Sequence, residues 1–353
     1  MNKIINKALF YKEWINVKWV TLLTIFILLF YKVHGVISAL NQNKMYLKLN
    51  GTVWTDRWFN NGLHDRHTYI FVMIFVVIIL AMILFIGEKA SESQGFLASM
   101  PFTRKEIILN KWLVGVISIL ISFVVTYIFL SLFYLANIKG LDTTLNPYSD
   151  IVMWFFMDIF VYICIFTFMV LAQAVMGNTI ISAAVGAIIL IVPYFITRIL
   201  MYLLSKCYRL NQYRYMIFDE IGRWVNIYSY NIPHEAWFNR FDTEVNKGKD
   251  MYRTFYYTDY KLKLLVLFIL TCLFLYLSYV SYKKRNLEYN LRLIVFKNLE
   301  PVFICGVSVC SGLLAGYTFG SERLISFAFW AATFTIIVCF ISKVLLKRFS
   351  STK

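Results

Sequence analysis

Three charged side chains, Lys32, Asp158 and Arg198, lie inside long apolar runs. A charge at membrane depth costs about 2.5–3.5 kcal/mol on insertion scales, so such residues are kept for pairing or for function. Asp158 lies twenty residues before Asn178, and Arg198 twenty residues after it. If the two runs form antiparallel helices turning near Gly177 and Asn178, a rise of about 1.5 Å per residue sets both charges at one depth. We expect them to pair there. The alternative is that Arg198 snorkels to the headgroups while Asp158 meets water in a cavity. Lys32, with His34 close by, is expected to snorkel to the outer surface, or else to line a path for an anionic group.

A second group of residues has the chemistry of a docking element. The stretch GEKASESQGFLASMPFTRKEIILNKW, residues 87–112, opens with Glu88 and Glu92. Gly95, Phe96 and Leu97 follow, and Met100-Pro101 ends the segment, since proline removes a donor and biases its predecessor away from helix. Thr103 with Glu106 three residues on makes a capping box for a new helix. That helix runs through Ile107 and Lys111 into the next apolar run. The expected result is a short helix over 88–100, parallel to the membrane, with a Phe-Leu knob flanked by charge. Such a knob suits a protein partner.

Other chemistry has no motif. No GxxxxGK[ST] phosphate loop occurs, nor GxSxG, HExxH or CxxC. His64 and His67 flank Asp65 at i, i+3, half of a metal site at best, and we expect no metal. Five of the six cysteines fall in apolar runs, and Cys207 has no neighbouring thiol. A disulfide framework is therefore not expected. Asn50-Gly51-Thr52 matches a glycosylation sequon, which three residues do easily by chance.

The elements that must carry these residues follow from composition. Of 353 residues 60% are apolar and 15% charged, against about 45–50% and about 25% in soluble domains. The mean hydropathy is +0.65. This excludes a water-soluble domain, a disordered chain and a small disulfide scaffold. A span needs about 20 apolar residues, and eight candidates appear: 19–40, 69–87, 112–137, 151–175, 180–203, 264–282, 301–319 and 324–346. The expected fold is an all-α integral membrane protein. No internal repeat stands out.

The formal charge of +16 fits membrane topology rather than nucleic acid, because the basic residues lie between the apolar runs. Segments 1–18, 88–111, 283–300 and 343–353 hold 17 Lys and Arg, against 6 in 41–68, 138–150 and 320–323. Segment 204–263 adds ten more on the second side, but it is near the length at which the positive-inside rule stops counting. We therefore expect both termini in the cytoplasm. Residues 1–18 space Ile4, Ile5, Leu9, Phe10 and Trp14 between lysines, as an interfacial amphipathic helix does; the alternative is a plain continuation of the first span. Spans one to five occupy 19–203, and spans six to eight 264–346 before a short tail, 347–353. Between them, 204–263 is dense in Tyr, Trp and Phe. It reads as an extracellular cap that rests on headgroups or holds an amphipathic guest, or as a self-packed element without a ligand.

The order of these features resembles the membrane subunit of a bacterial type-2 ATP-binding-cassette (ABC) exporter. In that family an acidic residue ends span two. A glycine, an apolar pair, a Leu/Met-Pro step, an arginine, an acidic-Ile pair and a lysine follow before span three. Glu88, Gly95, Leu97, Pro101, Arg104, Glu106, Ile107 and Lys111 stand in those places. Lys12-Glu13-Trp14 is similar to the family's connecting helix, and SYKKRNLEYN, 281–290, to the segment after span six, with Asn290 where a glycine is common. The resemblance covers about residues 1–300, and the family plan has six spans, so the last two are an addition. It implies that 88–100 is a coupling helix for separate cytoplasmic ATPase subunits, which carry ATP and Mg, while this chain holds no cofactor and is not itself an enzyme. It also implies a second permease subunit, identical or paralogous, in a bacterial plasma membrane. Exporters with external elements of this kind include those secreting phenol-soluble modulins, so an amphipathic peptide is the expected cargo. Two rivals stay open: a membrane immunity or sensor protein binding a peptide or lipid, and a membrane-embedded enzyme.

Overall fold

The structure is a computed structural model that describes residues 7–50, 57–64, 68–89, 102–208, 212–239, 251–285, 294–320 and 323–351. Among the described residues eight helices are long and apolar enough to cross a membrane: Lys7–Leu49, Thr68–Gly87, Arg104–Ala136, Ser149–Val175, Thr179–Cys207, Tyr260–Lys284, Glu300–Phe319 and Leu324–Lys347. They are called the first to eighth spans below. If all eight cross, an even number of reversals puts Lys7 and Lys347 on one side. That side is called the terminal side.

The chain divides into two units. One comprises Met1–Leu80, Asn110–Phe166 and Tyr230–Leu273, and the other Ala81–Leu109, Thr167–Ser229 and Phe274–Lys353.

The first span departs from expectation. No break separates an interfacial helix from a span: helix runs from Lys7 to Asn50, with one π-helical turn at Leu29–Val33. The reason lies in the sequence. No glycine or proline occurs between Lys7 and His34, and Leu9, Glu13, Val17, Val20, Thr21, Thr24 and Leu28 form one unbroken buried stripe at helical spacing. At about 1.5 Å per residue this helix is about twice as long as the hydrocarbon core is thick.

After the first span, the short helix Trp58–His64 folds back against it. The contact is backbone to backbone: a Cβ on Gly62 would meet Val36 Cα at 2.8 Å and Ala39 Cβ at 2.9 Å. The third span begins with the expected capping box. Thr103 N donates to Glu106 Oε2 at 2.9 Å, and Glu106 N to Thr103 Oγ1 at 3.3 Å. The fourth and fifth spans are separated by a short turn in which Asn178 Oδ1 accepts from the amides of Ile180 and Ile181.

Segment 204–263 contributes to both units. In the second unit it forms the helix Gln212–Val225. In the first it forms a β-hairpin, β1 (His234–Asn239) paired antiparallel with β2 (Met251–Tyr256), in register His234 to Tyr256. The sequence reading placed no strands here. The β-favouring Thr254, Phe255 and Tyr256, with the fork of Arg253 Nε and Nη2 on Glu235 at 2.8 and 3.0 Å, account for them.

Candidate functional site

Polar side chains that the apolar runs should exclude gather in three places. On the terminal side of the first unit, Lys111 Nζ meets Glu13 Oε1 at 2.9 Å, with both side chains 1% exposed. The pair joins the first and third spans and occupies the stretch expected to lie flat on the membrane. A charge pair this buried is held by mutual satisfaction of its partners, with Lys12 Nζ also 3.8 Å from Glu13 Oε1.

The second cluster lies within the first unit, around Asp158. Lys32 is in the π-helical turn, a feature common at functional positions. It does not snorkel. It is 3% exposed, and its Nζ donates to the carbonyl of Leu63 at 2.8 Å, because the helix Trp58–His64 closes over it. The same ammonium stands 3.9 Å from the ring centroid of Tyr69 and 5.6 Å from that of Trp154. Tyr69 Oη in turn donates to Asp158 Oδ2. One tyrosine thus presents its face to a cation and its hydroxyl to a carboxylate, a geometry that favours both charges. Asp158 is fully buried, and its Oδ1 has no hydrogen-bond partner among the described residues. Asn231 Nδ2 donates to Tyr162 Oη at 3.0 Å in the same unit.

The hairpin is bolted to this unit by Asn60. Its Nδ2 donates to the carbonyl of Phe255 at 3.1 Å, and its Oδ1 accepts from Phe255 N at 2.8 Å. Its Nδ2 also reaches Asp150 Oδ2 at 2.8 Å, which Arg57 Nη2 meets at 2.9 Å. Arg57 Nη1 bonds Thr254 Oγ1. Burial pushes the nearby Tyr230 phenol up to about 12 and raises that of Tyr257 well above its usual value, so both stay neutral. His64 packs against the rings of Phe255 and Tyr257, and His67 lies outside the described residues. Among the described residues no group of three or more His, Cys, Asp or Glu could hold a metal ion.

The third cluster is on the terminal side of the second unit. Arg104 Nη1 donates to the carbonyls of Lys283 at 3.0 Å and Arg285 at 2.5 Å, at the end of the sixth span. Arg285 Nη1 donates to the carbonyl of Gln173 at 3.3 Å, and Gln173 Nε2 to that of Thr179 at 2.9 Å. Val295 N adds a bond to Val175 O at 3.1 Å. The starts of the third and fifth spans and the ends of the fourth and sixth are thereby tied together through orphan carbonyls at helix ends.

Asp158 and Arg198, the expected pair, belong to different units, and each is bonded within its own. Arg198 Nη1 meets Asp219 Oδ1 at 2.7 Å, and its Nε meets Tyr194 Oη at 2.9 Å. Spacing from the turn fixes depth on a helix, but not which face a residue occupies, and each charge found its partner within its own unit. Of the residues expected to couple to an ATPase, Arg104 and Lys111 are placed as above. Glu88 belongs to the last turn of the helix Thr68–Lys89, while Glu92, Gly95, Phe96, Leu97 and Pro101 lie outside the described residues.

Sequence reasoning missed Tyr69, Arg57, Asn60, Asp150 and Arg285. Asn60-Asn61 within WFNNGLH was the available signal: two amides in an aromatic segment need partners when buried.

A family model described as ABC-2 family transporter protein matches residues 9–287. No curated protein and no solved structure matches the chain.

Proposed function

The chain belongs to the ABC-2 transporter family, as a permease subunit of an ABC transporter, and from that premise we propose that it is half of an ATP-driven peptide exporter in a bacterial plasma membrane. The terminal side faces the cytoplasm. Two permease subunits, identical or paralogous, join two ATPase subunits, which carry ATP and Mg. Segment 88–100 docks in a groove of the ATPase. Phe96 and Leu97 fill that groove, and Glu88 and Glu92 meet basic residues at its rim.

One observation carries this reading. Arg104, three residues after Pro101, grips the carbonyls of Lys283 and Arg285, and Arg285 holds Gln173. A displacement of the loop is passed directly to the third span, to the sixth through two carbonyls and to the fourth through Arg285. Nucleotide needs such a linkage to favour one of two states of the spans. An amphipathic peptide as cargo is supported by the exposed rings of segment 204–263, among them Tyr213 and Trp237 at 69% and 57% exposure.

Two variants separate docking from transmission. Phe96→Asp with Leu97→Asp abolishes co-purification of the ATPase; ATP-dependent export at the wild-type rate in this variant overturns the docking role. Arg104→Met retains the ATPase but lowers export about tenfold, within the usual range of coupling energies. Unchanged export in this variant overturns the transmission role.

A further inference from the structure

Away from the terminal side, the first unit contains a cavity of about 390 Å³ where the first span and the third span end. That volume is in the range of small-ligand sites. Its wall has two characters. Leu47 and Trp58 supply apolar surface, with Trp58 only 3% exposed. Lys44 and Lys139 supply charge, and Asn43 and Asn137 supply amides. No carboxylate lines it, and neither lysine has an ion-pair or hydrogen-bond partner among the described residues. Asn43 and Trp58 are buried and form the floor, while Leu47 and both lysines stand exposed at the rim.

We propose that this cavity binds the headgroup of an anionic phospholipid in the leaflet away from the chain termini. Three features select that ligand. Two lysines line one cavity in which, among the described residues, no carboxylate stands, which calls for a group bearing negative charge. The cavity is at the end of the third span, Arg104–Ala136, where the apolar run gives way to polar residues such as Asn137 and Lys139, as a span does on reaching headgroups. Apolar surface beside the charge gives the upper acyl chain a place to lie, which a free phosphate does not need. Ammonium groups at an anionic interface attract lipid in this way. This inference does not rest on export or on an ATPase, so it stands or falls separately from the proposed function.

Native mass spectrometry of the full chain in nanodiscs containing equal parts of phosphatidylglycerol and phosphatidylcholine tests it. Wild type is expected to retain phosphatidylglycerol, and Lys44→Gln with Lys139→Gln to weaken that retention on the order of thirtyfold, the factor for two ammonium contacts in the interface. Both lysines are exposed, so the variant should fold. A second variant acts through space instead of charge. A Cβ at Gly140, which also lines the cavity, has nothing within 4 Å, so Gly140→Leu adds bulk at the cavity wall with no clash at Cβ and is expected to weaken lipid retention with both lysines in place. Equal retention of the two lipids by wild type overturns the proposal, as does unchanged retention in both variants. Thermal protection by inorganic phosphate equal to that by phosphatidylglycerol also overturns it, because a lipid would then not be the ligand.

Discussion

The first four spans and the last two are held together by different means. In the first unit, beside the close contact at Gly62, helices meet through directional polar bonds: Lys111 on Glu13, Lys32 on Leu63, Tyr69 on Asp158 and Asn60 on Phe255. The seventh and eighth spans meet through small residues. A Cβ on Gly312 would collide with Thr335 Oγ1, and one on Gly316 would come within 3.1 Å of the Ala331 Cβ. This is the close approach that small-residue stripes permit in lipid. A buried polar bond fixes the rotation and register of a helix, because an unsatisfied partner in lipid is costly. Glycines fix distance alone. The polar region lies within the matched residues 9–287, and the glycine-packed pair lies after them. The hairpin after the matched residues is thus secured by close packing, while the matched spans carry the bonds that define a geometry.

The largest effect that could break this contrast is at the buried ion pair. Glu13→Ala leaves Lys111 charged and enclosed, and about 3–5 kcal/mol of stability should be lost, read as thermal unfolding in nanodiscs. Glu13→Gln combined with Lys111→Met should recover most of it. A loss below about 1 kcal/mol in the single variant would show that the pair is solvated. Next in size is Asn60→Ala, which strips both bonds from Phe255 and one from Asp150. We expect about 2–4 kcal/mol, since each buried group left unpaired costs about 1–3 kcal/mol. Hydrogen exchange should quicken in residues 251–256 and stay unchanged in 300–319. Gly312→Leu should do the reverse. Overpacking costs about 1–3 kcal/mol, and exchange should quicken in the seventh and eighth spans while the β-hairpin is unaffected. Faster exchange in both places from either variant would erase the distinction.

How much of this was legible in the sequence depends on the kind of signal. The spans were legible because apolar length is a one-dimensional property, and so was the Thr103–Glu106 capping box, whose partners are three residues apart. The continuity of the first helix was legible in principle. The lysines between its apolar residues suggested a surface helix, yet Glu13 sits on the buried stripe, and its partner lies 98 positions away. The fates of Lys32, Asp158 and Arg198 were not legible. Their depths could be counted from the turn, but their partners depend on helix rotation and on two short helices, Trp58–His64 and Gln212–Val225, that close over them. The relay from Arg104 was half legible. Its position in the motif marked it, but its acceptors are backbone carbonyls, which no residue type announces.

The smallest expected effect gives the sharpest form of the comparison. Arg198–Asp219 and Glu13–Lys111 have nearly the same separation, 2.7 and 2.9 Å. They differ in burial, with side-chain exposures of 42% and 54% against 1% and 1%. Coulomb attraction at equal distance varies inversely with the effective dielectric constant, so exposure decides which pair matters. A double-mutant cycle on Arg198→Ala and Asp219→Ala should therefore give a coupling of about 0.2–1 kcal/mol. It should shrink as salt rises from 0.05 to about 1 M, over which range the screening length falls to about 3 Å. The same cycle at Glu13 and Lys111 should be several times larger and nearly insensitive to salt. If the Arg198 coupling instead exceeded about 2 kcal/mol and ignored salt, the helix Gln212–Val225 would shield the pair from water. Segment 204–263 would then be held by the same kind of bond as the first unit, at both of its ends.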